Sequence, residues 1–306
     1  MVDYNKLIDA GTWEFIRRTE VWYPPDTVAR TVTERRAIYN AMCRAFFSGY
    51  PDGVNARDID ADGVTVRLYQ CGGTRAGAAV LYLHGGGFVV GGLESHDDIC
   101  AEICAATGLD VVAVDYRLLP EHEYPQIYAD GACALAWVQK QLAKPVVLVG
   151  DSAGGGLAAA LAHAGRGRRD ILGQVLIYPG LGGDVNRGSY LSHANAPLLS
   201  RDEVLYYAAR RGENVGFSPL QSTDFSGLPP TLALSAQCDP LSDDARDYAA
   251  AINAAGGQAV WVLNEGLVHG HLRARHSVAR ARESFEHVLH TIGQMAAGAP
   301  ISGSSV

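Results

Sequence analysis

Apolar positions recur at helical spacing over the first fifty residues. Tyr4, Leu7, Ile8, Gly11 and Phe15 form one stripe, and Ile38, Met42, Ala45 and Phe46 form the next. Trp22-Tyr23-Pro24-Pro25 breaks the first helix between them. Thr31 and Glu34 have the spacing of a capping box for the second helix, which Ser48-Gly49 ends. No strand pattern occurs here, so this block is expected to lie outside any sheet. From residue 57 the pattern alternates instead. Strands are expected at Val64–Tyr69, Ala78–Leu83, Asp110–Tyr116, Pro145–Val149, Gln174–Tyr178, Thr231–Ser235 and Ala259–Asn264, the last with its apolar heart at Val260–Leu263. Helical patterns cover 95–107, 126–142, 153–165, 242–255 and 275–296. Continuous Val/Leu/Ile strands alternating with helices imply an α/β fold, with a mostly parallel central sheet covered by helices on both faces. In such a sheet the chemistry gathers past the carboxyl ends of the strands.

Residues 181–226 interrupt the alternation. They are rich in Gly, Ser and Asn and hold one clear helix, capped by Ser200 with Glu203 and apolar at Val204, Leu205, Tyr207 and Ala208. An insertion at the carboxyl edge of the sheet lies over whatever that edge carries. Segments 1–50 and 181–226 are therefore expected to form a helical cap, with 51–180 and 227–306 as the catalytic body. Trp13, Trp22, Tyr23, Leu198, Leu199, Tyr206 and Tyr207 are then candidates for a pocket wall, although packing of cap on body would use the same residues. The Ser/Gly-rich tail, Ile301 to Val306, is expected to be loose.

Two strand ends run into glycine clusters. The apolar run from Pro145 stops at Gly150-Asp151-Ser152-Ala153-Gly154, and an Ala/Leu-rich helix follows. This is a strand, a sharp turn and a helix with a serine at the tip, and glycines on both sides let the backbone pass close. The following helix aims its N-terminal amides at the same spot, a geometry suited to acyl transfer. A serine hydroxyl alone is a poor nucleophile, so a histidine, an acid and an oxyanion hole are required elsewhere. Upstream, Ala78–Leu83 leads into His84-Gly85-Gly86-Gly87, where amides free of side chains could face a developing oxyanion; a plain glycine-rich turn is the alternative. The acid should end the strand near 231–237. Asp239 does so, held out of helical conformation by Pro240, while Asp243 and Asp244 fall in the first turn of the next helix. The base should follow the last strand, where His269 and His271 flank Gly270.

His84-Gly85-Gly86-Gly87-Phe88, Asp115-Tyr116-Arg117-Leu118-Leu119-Pro120-Glu121-His122, Gly150-Asp151-Ser152-Ala153-Gly154-Gly155, Asp239-Pro240-Leu241 and His269-Gly270 occur in this order. Together they resemble the hormone-sensitive-lipase-like esterases of the α/β-hydrolase fold, over roughly residues 55–295. The family order of serine, acid, histidine implies Ser152, Asp239 and His269 as the catalytic set, because the family places its base immediately before the glycine. The amides of Gly85, Gly86 and Ala153 are the expected oxyanion hole. Phe88 and His271 join the candidates for the pocket wall, and Asp151 is expected to brace the turn by hydrogen bonds. His84 and His122 are expected to brace backbone in the same way. The resemblance implies hydrolysis of short- to medium-chain carboxylic esters through an acyl-enzyme, without a cofactor. Two positions depart from the family: Leu119 stands where Ala is usual, and His271 where an aromatic residue is frequent.

Composition narrows the alternatives. A formal charge of −8 argues against a nucleic-acid partner and favours solubility. Met1 to Ala10 contains Asp3, Lys6 and Asp9, and no run of the chain reads as a signal peptide or membrane span, so the expected location is the cytoplasm, without stable membrane insertion. Cys100 and Cys104 have no His or second Cys pair at ligand spacing and are read as buried small residues; no metal is expected. The expected partners are a small ester and water, and edge strands or the cap surface could pair two copies into a homodimer. An amidase, lactonase or carbamate hydrolase would use the same triad. A non-catalytic small-molecule receptor on this fold would lack the base, which His269 supplies. The glycine cluster at 84–87 lacks the spacing of a dinucleotide site.

Overall fold

The structure, a computed structural model, describes residues 2–24, 26–72, 77–212 and 218–301. Pro25 of the helix-breaking run and residues 302–306 of the tail lie outside the described residues. The strands are β1 (Val54–Ala61), β2 (Val64–Cys71), β3 (Ala79–Leu83), β4 (Asp110–Val114), β5 (Val146–Asp151), β6 (Ile171–Ile177), β7 (Thr231–Cys238) and β8 (Ala259–Val268). They form one eight-stranded sheet in the order β1-β2-β4-β3-β5-β6-β7-β8, antiparallel at β1 and β2 and parallel from β4 onward.

Both faces of the central strands are covered. Every residue of β3, β4 and β5 is buried. Ala79, Leu81 and Leu83 pack on one side with α5 (Tyr124–Trp137), α6 (Ala153–Ala164) and α9 (Ser242–Ala254). Val80 and Tyr82 pack on the other with α4 (Asp97–Thr107) and α10 (Ala279–Ala296). This double burial explains why the strands read as unbroken apolar runs. A large-to-small change in either layer, such as Leu81→Ala, costs about 2–5 kcal/mol.

Three elements differ from the sequence pattern. The N-terminal stripe is two helices, α1 (Tyr4–Leu7) and α2 (Ala10–Glu20). Ile8 is extended, and the Asp9 carboxylate caps the second helix by accepting from the Thr12 amide at 2.7 Å. Strand β1 was not expected, because Val54–Ala61 is largely polar and exposed; its pairing with β2 holds it, helped by an ion pair from Arg67 to Asp58. Strand β8 runs on past Asn264 to Val268, after a register shift against β7 between Ala236 and Cys238. The capping boxes at Thr31/Glu34 and Ser200/Glu203 are both formed and open α3 (Val32–Ala45) and α8 (Arg201–Arg211). The insertion between β6 and β7 also carries the short α7 (Ser189–Ser192).

Candidate active site

Strand register brings the chemistry together. Leu83 pairs with Gly150, so the glycine run after β3 lies beside the turn after β5. Cys238 pairs with Val268, so the next residue of each strand, Asp239 and His269, emerge side by side. The extension of β8 thus sets Asp239 against His269.

The turn after β5 is tight. Ser152 has φ 53° and ψ −120°, a conformation side-chain-bearing residues seldom adopt, and one that stores about 1–3 kcal/mol. Its amide donates to the Ile177 carbonyl at 2.9 Å, and its carbonyl accepts from Gly156 and Gly180, both at 3.1 Å. A Cβ on Gly150 would overlap the Gly154 carbonyl, and one on Gly154 would overlap the Leu83 carbonyl, so only glycine permits this approach. The Asp239 carboxylate is fully buried. Its Oδ1 accepts from the Leu241 amide at 2.8 Å, and its Oδ2 lies 2.7 Å from His269 Nδ1. A carboxylate only accepts, so Nδ1 carries the proton, and Nε2 is left to accept from the Ser152 hydroxyl at 2.9 Å.

Asp151 ties the two glycine loops together. It is buried, and it accepts from the Tyr82 hydroxyl at 2.9 Å and from the Gly85 amide at 2.9 Å, with His96 Nε2 at 3.3 Å. Burial opposes its charge, but the neighbouring His96 and Arg273 and the bond from Tyr82 hold its carboxyl well below the usual range. The bond to Gly85 corrects the sequence expectation. That amide is already engaged and cannot serve an oxyanion. Gly86, Gly87 and Ala153 line the cavity beside Ser152, and among the described residues no acceptor meets the Gly86 or Gly87 amides. Ala153 is the first residue of α6, where an amide has no acceptor within the helix. His84 braces the loop from below: its Nδ1 bonds the Gly85 carbonyl at 2.8 Å, its ring stacks on Tyr116 at 4.1 Å, and burial pushes its pKa down to about 3.

Ser152 and His269 open into a cavity of about 1340 Å³, larger than the usual few hundred to about a thousand of small-molecule sites. Phe88, Leu198, Tyr206 and Tyr207 line it, as do Tyr23 and Leu199. Phe88 packs edge-on against Tyr124 at 5.0 Å, and the Tyr207 ring lies directly against Gly87. Three expected wall residues sit elsewhere. Phe15 and Thr19 of α2 face the cavity, whereas Trp13 of the same helix is not on its wall and packs, half-buried, against the cluster that includes Ile8 and Ile16. Trp22 is in the turn after α2 and is 39% exposed. His271 is fully buried, bonding the Val268 carbonyl at 3.0 Å and Ser284 Oγ at 3.1 Å, and burial pushes its pKa down to about 4.

Sequence reasoning missed several residues of this site. Gly87 belongs to a motif it had singled out. Tyr178, at the end of β6, sets its ring 4.8 Å from that of His269. Tyr39 on α3 and Arg273, on the short turn His271–Ala274, line the cavity wall. Tyr39 and Tyr178 carry no motif, and only the fold brings them here. Among the described residues no helix is long and apolar enough to cross a membrane.

Comparison with known proteins places this geometry in context. A family model described as the alpha/beta hydrolase fold matches residues 80–273. The chain is 34% identical over 253 residues to an ethyl acetate hydrolase of Pseudomonas putida, covering 77% of this chain and 80% of that protein. It is 34% identical over 252 residues to the carboxylesterase NlhH of Mycobacterium tuberculosis, covering 76% and 79%. Among solved structures, an esterase from the bacterial hormone-sensitive lipase family superposes with a TM-score of 0.86 at 26% identity, covering 97% of this chain and all of that one. An esterase of Pyrobaculum calidifontis superposes with a TM-score of 0.83 at 29% identity, covering 94% and 99%.

Proposed function

The chain belongs to the α/β-hydrolase fold family and is a carboxylic ester hydrolase, and from this premise we propose that Ser152, His269 and Asp239 are its catalytic triad. The observation that carries the proposal is the pair of contacts at His269: 2.9 Å from Nε2 to Ser152 Oγ and 2.7 Å from Nδ1 to Asp239 Oδ2. Ser152 Oγ attacks the ester carbonyl as His269 Nε2 takes its proton. Asp239 holds the ring in the tautomer that can accept and stabilises the imidazolium. The amides of Gly86, Gly87 and Ala153 receive the negative charge on the carbonyl oxygen, each such donor contributing about 10²–10³ in rate. Collapse returns the proton to the departing alcohol and leaves an acyl-serine. Water, deprotonated by His269, then attacks the acyl carbon, and the second collapse frees the acid and restores Ser152.

The substrates belonging to this reading are esters of short to medium acyl chains, with residues 1–50 and 181–226 acting as the cap over the cavity. Tyr207 against Gly87 and Phe15 on the cavity wall support that role. A cytoplasmic site of action accords with six free cysteines. Among the described residues the outer strand β8 leaves one edge unpaired, so a homodimer through it is checked by light scattering.

The deciding experiment is turnover of 4-nitrophenyl esters from acetate to palmitate beside the matching anilides. Hydrolysis strongest for the shorter esters, weak for palmitate and slower for anilides, is the expected result. Anilides cleaved faster than esters would make the protein an amidase, and no turnover of any ester would overturn the reading.

A further inference from the structure

Two arginines leave the turn after His269, and both are buried. Arg275 is 2% exposed and fully matched: Glu102 takes it through both oxygens, at 2.6 and 2.9 Å, and Asp98 lies 2.7 Å away. Arg273 is 8% exposed and has no carboxylate within ion-pair distance among the described residues. Its Nη2 donates to the Tyr39 hydroxyl at 2.7 Å and lies 3.4 Å from His96 Nε2. Its Nε is buried with no partner. The buried Cys43 thiol, a weak acceptor, is a further neighbour of the guanidinium, and no oxygen acceptor among the described residues meets its Nη1. That Nη1 projects beside Gly270, and Gly270, Arg273, Ser152 and His269 share the cavity wall.

A guanidinium removed from water without a matching anion is unfavourable by several kcal/mol before relaxation. The other buried charge on this wall, Asp151, accepts from Tyr82 and the Gly85 amide and meets Arg273 only indirectly, because His96 Nε2 lies 3.3 Å from Asp151 and 3.4 Å from Arg273 Nη2. Among the other charged residues of the wall, Glu20, Asp184, Arg187, Asp202 and Glu203 are exposed, while Arg35 and Arg211 are half-buried and donate to Tyr206 and Ser218. Among the described residues Arg273 is therefore the most deeply buried cation of the wall, with no directly bonded carboxylate and with its Nη1 edge beside Gly270. Arginine in that state suits a carboxylate, which accepts two parallel charge-assisted bonds.

We propose that Arg273 is a carboxylate-binding residue of the substrate cavity, and that the preferred esters carry a free carboxylate away from the bond that is cut. This rests on the esterase reading and names its substrate class. The carboxylate can belong to the acid half, as in a half-ester of a dicarboxylic acid, or to the alcohol half.

Two matched pairs separate these sources: mono-4-nitrophenyl adipate against 4-nitrophenyl hexanoate, and 4-carboxyphenyl butyrate against phenyl butyrate. In the wild type, kcat/KM for the charged member of one pair should exceed its neutral partner by about tenfold to a hundredfold. Arg273→Gln should bring that ratio to unity or below. Any loss common to both members cancels in the ratio, so a purely structural role would leave it unmoved. If the variant does not fold, inhibition of the wild type decides, with the monoamide of adipic acid against hexanamide and 4-hydroxybenzoate against phenol. Tighter binding of the carboxylate-bearing member of either inhibitor pair supports the proposal. A wild type indifferent to charge, or favouring the neutral ester in both pairs, overturns the proposal and leaves the esterase reading standing. Failure to cleave any of the four esters overturns the esterase reading itself.

Discussion

The floor of the cavity and its roof are built differently. On the floor every residue of β5 is buried, Asp239 and Asp151 have their oxygens occupied, and each key side chain follows directly from a strand end. Over the same cavity α8 has no buried residue, and α3 buries only Met42 and Cys43. The floor is fixed by backbone pairing and a shared core; the roof is fixed by capping boxes and a few anchoring side chains. One such anchor is Asp244 on α9, which accepts from the Leu181 amide at 2.8 Å and from the Tyr190 hydroxyl at 3.1 Å. Changes on the floor should therefore act on chemistry, and changes in the roof on selectivity and local stability.

The hardest test of this contrast is Ser152→Ala. It should lower kcat by about 10⁶ while the protein still folds; retention of more than a few per cent of activity would remove Ser152 from its role. His269→Ala should be nearly as damaging. Its neighbour separates floor chemistry from packing: His271→Ala should chiefly destabilise, by about 1–3 kcal/mol, because Ser284 and the Val268 carbonyl lose their buried partner. Melting curves and kcat on both variants give the ranking, and a reversed ranking in activity would move the base to His271.

A pH effect on stability of at least that size belongs to the roof. Burial raises the Asp244 carboxyl to about 7, although its hydrogen-bond donors oppose the shift. The folded state thus holds this proton more tightly than the unfolded state. Its contribution to stability is complete below about pH 4 and is lost as pH rises to about 7, at about 1.4 kcal/mol per unit. Denaturant melts across that range should show the slope, and Asp244→Asn should flatten it. An unchanged slope in the variant would mean that another group carries it. The smallest effect is expected from the aromatic roof residues. Tyr207→Ala should shift acyl-chain preference by about tenfold. Trp22→Ala, at an exposed turn, should leave the profile within about twofold. Equal responses from the two would mean that Tyr207 does not shape the cavity.

The floor was legible in the sequence because its chemistry needs particular residues at particular strand ends. Glycines at 150 and 154 answer to backbone carbonyls a few ångströms away, and Pro240 releases Asp239 from helix. Legibility stopped where contacts depend on tertiary pairing. Polar β1 is a strand only because β2 lies beside it. The run Glu265-Gly266 reads as a loop, yet it continues β8. Trp13 and Phe15 are both large and apolar, and only the docking of α2 decides which one meets the cavity. The engagement of the Gly85 amide depends on where Asp151 points, which no spacing rule supplies.

The left-handed backbone at Ser152 separates what selection for activity keeps from what selection for folding alone would keep. A glycine there would hold the same φ of 53° without the steric penalty of a side chain. Ser152→Gly should therefore melt higher than Ser152→Ala, although under the proposed triad neither should turn over an ester. A lineage of this chain released from catalysis, and kept only as a stable protein, would gain by losing its serine, so the side chain at this one turn marks whether the protein is still an enzyme.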